Sequence, residues 1–411
     1  MKQSQRAALA LLCALVAFSP ALPQEPPQNQ GTPEAAPPTI PSLESVRAQK
    51  EAEENYIPLD LHFRIGLVGD HPIELQTTTG PQLQIKTPLI LIDPATGEKK
   101  KYAENFPTRV VASSPNGVWV VGIAPSAGVE GSSGSRDKEC AVSLNLDEGK
   151  IRLIVEFPRF SSFQALFAPS SSEEIYYCAN EPGAVNQIVR YNLASAKVEP
   201  LPAEGNRFYL YGLKTSQPQG IWVQDPMRTD EYPVLCLLDM ARGDVLSTVE
   251  FPGARDVFAR PGGDTLVAEV MNGAEGSLGY YDTTDQSFHQ VPQLVLTRPS
   301  LKWAHKSLAV VAKETTTARD RFLWIDLASG TVRELFSAYF KVAFWDISPD
   351  DDALVFVTDS RDSPVVFVIP TDPKVGVINR IPLHDVRNVS WLGCLYPAPQ
   401  RGSWLQRLMP F

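Results

Sequence analysis

The sequence predicts an all-β fold, a seven-bladed β-propeller closed by its C-terminal strand. Three observations lead to this prediction. One turn motif recurs about every 45 residues, a second turn precedes it at a near-constant distance, and helical periodicity is almost absent between residues 61 and 398. Units of 40–50 residues, each with four short strands, are typical of propeller blades.

The first motif is a turn in which two mostly apolar or aromatic residues precede Asp or Asn. Asp and Asn open such turns by accepting hydrogen bonds from the following backbone, and Gly tolerates the positive φ that the turn needs. Gly follows four residues later in four copies, at Gly97, Gly149, Gly243 and Gly330. The copies are centred on Asp93, Asn145, Asn192, Asp239, Asp282, Asp326 and a divergent Pro370.

The second motif is a proline turn, and five of its seven copies lie 21 residues before the first motif. Between the two motifs we expect a strand that carries a large residue at a position buried between neighbouring sheets. His305 replaces proline in one copy, so we interpret it as a turn or packing residue. The prolines are Pro72, Pro115, Pro169, Pro218, Pro261 and Pro349. The large residues are Leu75, Trp119, Tyr176, Trp222, Leu266, Leu308 and Leu354.

The C-terminal end of the array indicates how the ring closes. Residues Asn388–Trp391 resemble the innermost strand of the last full unit, Val342–Trp345, but no further blade follows them. We expect this strand to complete the first blade, whose own inner strand at residues 61–67 is weak. Closure of a ring also removes exposed strand edges.

Outside the propeller, assigned to residues 61–398, the chain divides into three segments. Residues 1–21 combine Lys2 and Arg6, an apolar run of 12 residues and small residues before Ala21, which predicts a signal peptide and export to the periplasm or outside the cell. Residues 22–60 form a Pro-rich linker with a short charged helix, and residues 399–411 form a C-terminal tail. No later segment is apolar enough to predict a transmembrane helix.

Four cysteines remain after the predicted cleavage. An oxidising compartment permits disulfides, and four cysteines allow three complete pairings, among which the sequence does not choose. Free thiols inside strands are the favoured interpretation. Zinc-site spacing is absent. The four are Cys140, Cys178, Cys236 and Cys394.

Composition and motifs narrow the chemistry. The net charge of −10 (37 basic against 47 acidic residues) disfavours nucleic-acid binding, which needs a basic face. No G-x-S-x-G motif occurs, and the five histidines lack metal-ligand spacing. Residues Asp350–Asp352 are interpreted as a solvated turn rather than a calcium loop. We therefore predict no cofactor and no metal.

A cation recurs where each unit enters its innermost strand, and these rim cations are the candidate binding residues. In a propeller this segment crosses the rim of the central channel, where a positive ring suits carboxylate or phosphate. The alternative interpretation is that each cation pairs with an acid on the same face, such as Glu314 or Asp320, and joins neighbouring blades. An insert at residues 124–139, rich in Gly and Ser, shares this face, and we expect it to be mobile. The rim cations are Arg109, Arg159, Arg207, Arg255, Arg298, Lys341 and Arg387.

One part of the chain resembles a known superfamily. Residues Ile347–Asp351, followed by Ala353–Val357 and Val365–Val368, resemble the TolB-like and WD-repeat-like propellers of bacterial envelopes. Residues Ala112–Gly117 are similar to a second copy of the same turn. The resemblance implies a binding scaffold more than any particular reaction.

The favoured function is that of an exported, non-enzymatic propeller that binds a protein partner or an anionic ligand on one face. One alternative is a propeller-type small-molecule hydrolase or lactonase, and another is a structural component of a cell-envelope complex. An inward cluster of Asp, Glu, Asn or His in a pocket would favour the enzyme. A wide, shallow, charged face would favour binding.

Overall fold

The computed structural model describes Ile57, Phe63 and most of residues 65–392. The predicted signal peptide, nearly all of the predicted linker and the C-terminal tail lie outside the described residues. The gaps after residue 65 are residues 70, 78–79, 87–88, 104–108, 160, 169–170, 182–185, 204–207, 225–231, 273–274, 292–293, 298, 316–318, 359–364, 373, 377 and 383–385.

The described strands form seven antiparallel blades, which confirms the predicted propeller. Within each blade the strands are named from the innermost to the outermost. Blade 1 contains β31 (Val386–Trp391), β1 (Ile65–Gly69), β4 (Leu89–Ile92) and β5 (Lys99–Ala103). Blade 2 contains β6 (Arg109–Ser113), β7 (Trp119–Pro125), β8 (Lys138–Asn145) and β9 (Lys150–Pro158). Blade 3 contains β10 (Ser162–Phe167), β11 (Glu174–Asn180), β12 (Ile188–Asn192) and β13 (Val198–Pro200).

The remaining four blades repeat the same order. Blade 4 contains β14 (Leu210–Lys214), β15 (Gly220–Gln224), β16 (Val234–Asp239) and β17 (Val245–Glu250). Blade 5 contains β18 (Ala254–Ala259), β19 (Thr265–Asn272), β20 (Glu275–Asp282) and β21 (Ser287–Gln290), with β22 (Leu296–Thr297) also paired to β20. Blade 6 contains β23 (Pro299–Trp303), β24 (Ala309–Thr315), β25 (Asp320–Asp326) and β26 (Val332–Ala338). Blade 7 contains β27 (Val342–Ile347), β28 (Ala353–Thr358), β29 (Val365–Pro370) and β30 (Asn379–Pro382).

The ring closes through its C-terminal strand, as predicted, because β31 pairs with β1 and places Trp391 opposite Ile65. The assignment of strands within blade 1 was wrong, however. Since β31 takes the innermost position, the first strand of the chain lies second in the blade. Leu75 therefore does not lie in the second strand of the blade. It belongs to an additional hairpin, β2 (His71–Thr77) and β3 (Gly80–Lys86), inserted between the second and third strands.

The Asp/Asn motif forms the turn between the third and fourth strands, as its local chemistry predicts. Asp93 Oδ1 accepts a hydrogen bond of 2.8 Å from the backbone N–H of Ala95, and Asn145, Asp239 and Asp326 make equivalent bonds. The glycine of this motif has positive φ, for example 76° at Gly97. Each blade therefore carries a local signal that ends its third strand and starts its fourth.

The large residues predicted for the second strands do fill the space between blades. Trp119, Tyr176, Trp222 and Leu266 are at most 4% exposed, as is Leu354. Leu308 is partly buried and packs against its cluster. The core thus consists of clusters between neighbouring sheets, and each blade depends on the next for burial of its apolar face.

Asp346 on the innermost strand of blade 7 joins three consecutive blades. One carboxylate oxygen accepts a 2.7 Å hydrogen bond from Lys302 Nζ on the innermost strand of blade 6. The other accepts a 2.8 Å bond from the backbone N–H of Trp391 in β31. Asp346 is 6% exposed, so this ionic contact is well shielded from solvent. It fixes the closing strand against the two blades that precede it.

Two acids of the turn at residues Asp350–Asp352 are buried, so the solvated turn that the sequence predicted is correct only for the exposed Asp352. Asp350 and Asp351 are 4% and 8% exposed. The Asp351 carboxylate accepts hydrogen bonds from the backbone N–H groups of His305, Lys306 and Ser307 in the turn of blade 6. The sequence did not reveal the burial of these two acids, because the backbone N–H groups that bind Asp351 belong to another blade. The predicted turn role of His305 is confirmed, and burial lowers the pKa of its imidazole.

Cys140 and Cys178 are free thiols inside strands, as favoured from the sequence, and Cys236 is also buried in a strand. Cys140, Cys178 and Cys236 are buried in β8, β11 and β16. Burial raises the pKa of the Cys178 thiol to about 12. Cys394 lies outside the described residues.

Replacement of Asp346 tests the contact that closes the ring. Asp346→Ala leaves the ammonium group of Lys302 and the N–H of Trp391 without this carboxylate, and breaking a buried pair from one side costs about 3 kcal/mol. We expect urea unfolding to show that loss. Asp147→Ala removes an exposed carboxylate in blade 2 and should change stability by less than about 0.5 kcal/mol. Equal losses in both variants would contradict the role of Asp346.

Candidate functional site on the loop face

The two faces of the ring are built from different connections. We call the loop face the one that carries the connections between blades and the loops between second and third strands. The turn face carries the tight turns between first and second strands and between third and fourth strands. Both insertions in the array lie on the loop face, because hairpin β2–β3 and residues 126–137 each join a second strand to a third.

On the turn face, described polar groups form contacts between neighbouring blades. Lys214 Nζ of blade 4 lies 2.9 Å from Asp264 Oδ1 in a turn of blade 5. The indole N–H of Trp222 donates a 2.8 Å bond to the carbonyl of Gly263 in the same turn. The Asp351 carboxylate joins blades 6 and 7 on the same face. These contacts give the turn face a structural role, which is to hold neighbouring blades together.

The insert of blade 2 is held by Glu156 on the outermost strand of that blade. The Glu156 carboxylate accepts hydrogen bonds from the hydroxyls of Ser126 and Ser133, from the Ser133 N–H at 3.1 Å, and from Lys138 Nζ at 3.3 Å. Bonds from the two hydroxyls lower the pKa of the Glu156 carboxyl to about 2. A single carboxylate outside the insert thus anchors it to the blade, and the predicted mobility of the insert stays a prediction.

Only three rim cations have described side chains. Arg109 and Arg387 lie in the innermost strands β6 and β31, with their backbones alone described, and Arg207 and Arg298 fall outside the described residues. Arg159 is exposed, and its backbone N–H donates a 2.9 Å bond to the carbonyl of Asp137 at the end of the insert. The cationic ring as a whole stays a prediction.

The other two described rim cations pair with buried carboxylates, and of these two pairs that of Lys341 joins neighbouring blades as the alternative interpretation predicts. The Arg255 guanidinium contacts Glu269, which is 0% exposed. Lys341 Nζ lies 3.3 Å from Asp320 Oδ1, and Asp320 is 1% exposed. The Lys341 contact joins blade 7 to blade 6, whereas Arg255 and Glu269 belong to the same blade.

Blade 6 contributes more buried charge than the sequence indicated. Asp320 Oδ2 accepts a 2.8 Å bond from the N–H of Val342 and lies 3.7 Å from Lys313 Nζ. The guanidinium of Arg321 contacts Glu314 through Nε at 3.0 Å. No repeating pattern singled out Glu269, Lys313 or Arg321. The available signal was a charged residue at the loop-face end of an otherwise apolar strand.

An exposed aromatic surface adjoins this charged cluster. Tyr339 is 85% exposed and follows Ala338, which lies opposite Asp320 in the sheet. Phe344, at the start of the innermost strand of blade 7, is 39% exposed. Aromatic side chains next to cations are enriched at protein interfaces, since they bury a large area and retain polar contacts.

A Ser–His–Asp group in blade 5 does not have the geometry of a catalytic triad. Ser287 Oγ lies 2.6 Å from His289 Nε2, and Asp285 Oδ2 lies 3.4 Å from the same nitrogen. A triad needs the acid on the opposite ring nitrogen, where it orients the base. Ser287 also donates to Asp285 at 2.6 Å, so its proton points away from the histidine. This exposed turn therefore offers no activated nucleophile.

Among the described residues, no group of three or more His, Cys, Asp or Glu side chains could hold a metal ion. No helix in the described part of the chain is long and apolar enough to cross a membrane.

Comparison with known proteins identifies the fold. The chain resembles oligogalacturonate lyase in complex with manganese, with 10% identity over 77% of this chain and 100% of that one and a TM-score of 0.52. It resembles the β-propeller domain of the Trilobed protease from Pyrococcus furiosus with 11% identity over 78% and 96% and a TM-score of 0.52. TolB from Acinetobacter baumannii matches with 12% identity over 85% and 73% and a TM-score of 0.46. The two likenesses with a TM-score of 0.52 confirm the predicted superfamily resemblance as one of propeller fold.

No protein-family model matches the chain. No curated protein matches it either.

Replacement of Glu156 tests the anchoring of the insert. Glu156→Ala removes the acceptor shared by Ser126, Ser133 and Lys138, so we expect trypsin to cleave after Arg136 faster than in the unmodified chain. Glu148→Ala removes an exposed carboxylate of the same blade, 52% exposed and 3.2 Å from Arg152, and serves as the control. Similar cleavage in all three proteins would contradict the anchoring role.

The anchoring should depend on pH in a defined direction. The folded pKa of Glu156 is lowered from 4.5 to about 2, so its contribution is fully present above pH 4.5 and is lost as the pH falls through about 2. Hydrogen exchange at the Ser133 amide should therefore keep its protection from pH 7 to pH 4. Loss of that protection near pH 6 would contradict the assignment.

Proposed function

We propose that the chain is an exported, non-enzymatic β-propeller that binds a protein partner or an anionic ligand on its loop face. The proposal of export to the periplasm or outside the cell rests on the N-terminal sequence, with its basic start, apolar run and small residues before Ala21. The proposal of binding rests on the loop face. The two parts are independent of each other.

The observation that carries the binding proposal is the placement of both insertions on one face. The turn face consists of tight turns whose side chains join neighbouring blades. The loop face carries hairpin β2–β3 and the insert at residues 126–137, which are additional to the four strands of a blade. Loops on a rigid scaffold are where binding residues concentrate.

Charge and aromatic exposure support an anionic partner. Arg159 is exposed beside the insert, Lys341 is 43% exposed in its side chain, and the exposed Tyr339 lies two residues before Lys341. Guanidinium and ammonium groups attract carboxylates, sulfates or phosphates, and a propeller face focuses such fields. We propose that four further rim cations, whose side chains the structure does not describe, extend this surface around the channel: Arg109, Arg207, Arg298 and Arg387.

The buried acids of this face favour binding over catalysis. Glu269, Glu314 and Asp320 contact Arg255, Arg321 and Lys341 respectively. A general acid or base must exchange a proton with substrate, and a carboxylate that is buried in contact with a cation is already occupied by that contact. The acids therefore serve to position the cations.

Charge reversal at Arg159 tests the proposal. We expect Arg159→Glu to weaken binding of polyglutamate or polygalacturonate about tenfold, because one attraction becomes a repulsion. Binding should also weaken as salt rises. Arg255 and Lys341 are unsuitable for reversal, since Glu269 and Asp320 would lose these buried contacts.

Lys374→Glu is the matched control, because Lys374 is exposed on the turn face in blade 7. It makes the same change in net charge, so it should leave the titration unchanged. An equal loss of affinity in both variants would mean that the probe binds elsewhere or responds only to the net charge of the protein. If neither polyglutamate nor polygalacturonate binds the unmodified chain, the anionic-ligand proposal is overturned.

A further inference from the structure

The hairpin β2–β3 is the part of the described propeller that belongs to no blade. Its two strands pair with each other, from His71 opposite Lys86 to Thr77 opposite Gly80, and form a separate two-stranded sheet. A two-stranded hairpin is marginally stable alone, and among the described strands none pairs with either of its outer edges, which carry backbone N–H and C=O groups. What covers those edges is therefore a physical question.

The two prolines of the hairpin fix the direction of its backbone groups. Pro72 lies opposite Ile85 and Pro81 lies opposite Gln76. Proline has no N–H, so it occupies positions whose backbone points away from the paired strand. Backbone direction alternates along a strand. Outward groups therefore belong to every second residue, which are Pro72, Glu74 and Gln76 on β2 and Pro81, Leu83 and Ile85 on β3.

The two edges differ in what they offer. The outward positions of β2 that keep an N–H are Glu74 and Gln76, which are both polar. Those of β3 are Leu83 and Ile85, which are both aliphatic and adjacent on the same face of the hairpin. The β3 edge therefore combines outward backbone groups with apolar residues, a combination that favours addition of another strand.

We propose that the β3 edge pairs with the β3 edge of a second copy of this chain, in an antiparallel arrangement centred on Gln84. In that register Leu83 of each copy lies opposite Ile85 of the other. Both residues have outward backbone groups, so the two pairs form four hydrogen bonds between the copies. Pro81 lies outside these pairs and removes none of them.

The same register also satisfies the side-chain pattern and the charges. Leu83 and Ile85 of both copies fall on one face of the resulting four-stranded sheet, so four aliphatic positions are neighbours on that face. Lys86 of each copy lies opposite Gln82 of the other, so no like charges oppose. Pairing through β2 would instead gather Glu74 and Gln76. A second copy fits because the β3 edge is complementary to itself.

The first test removes a backbone donor from one edge at a time. Leu83→Pro deletes an outward N–H on β3 and keeps every bond within the hairpin, so sedimentation equilibrium of the full chain should show a dimer dissociation constant raised at least about tenfold. Gln76→Pro makes the matching change on β2 and should leave the constant unchanged. Equal effects of both variants would overturn the proposal.

A second test addresses the register without any proline. Leu83→Lys places two cations in the aliphatic cluster and should weaken the dimer. Adding Ile85→Glu to the same chain places each lysine opposite a glutamate of the other copy, so the double variant should regain dimerisation. Continued weakening would exclude the register centred on Gln84. An unmodified chain that sediments as a monomer at high micromolar concentration would overturn the proposal entirely.

Discussion

Closure of the ring is the constraint on which the rest of the structure depends. Each blade buries its apolar face against the next, so blades 1 and 7 must meet for every blade to be fully packed. Asp346 supplies the ionic part of that meeting, because its carboxylate holds Lys302 of blade 6 and the backbone of Trp391 in the closing strand. The innermost strands of blades 6, 7 and 1 thereby form one bonded unit, and strand β1 has no open edge on that side.

The contacts that hold neighbouring blades together explain why the two faces of the ring differ. Contacts such as Lys214 with Asp264, and Asp351 with the backbone of residues 305–307, need short turns of fixed geometry. Insertions there would separate groups that must meet across blades. Connections between second and third strands carry no such requirement, since a strand pair stays in register whatever the length of its loop. Additional chain in blades 1 and 2 accordingly lies on the loop face.

The sequence predicts what is local and misses what joins distant residues. The Asp and Gly of each turn act within five residues, so the pattern alone located the third and fourth strands. Pro72 was misassigned because it precedes Asp93 by the same 21 residues as a blade turn, although it marks an outward position of a hairpin. Asp346, Glu156 and Glu269 carry no repeating signal. Their partners lie 14 to 45 residues away, so no local pattern in the sequence marks these charges.

Buried carboxylates also limit which rim cations can bind a ligand. Arg255 and Lys341 already neutralise Glu269 and Asp320, which are 0% and 1% exposed, so an incoming anion would compete with a carboxylate that has no water to replace its partner. Displacing either cation costs more than a solvent-exposed ion pair returns. An anionic ligand therefore gains most from a cation that is already hydrated, and Arg159 is such a residue. Within the described rim, affinity for an anionic ligand should therefore depend on Arg159 at the end of blade 2. The charged pairs of blades 5 to 7 should instead maintain the shape of the face.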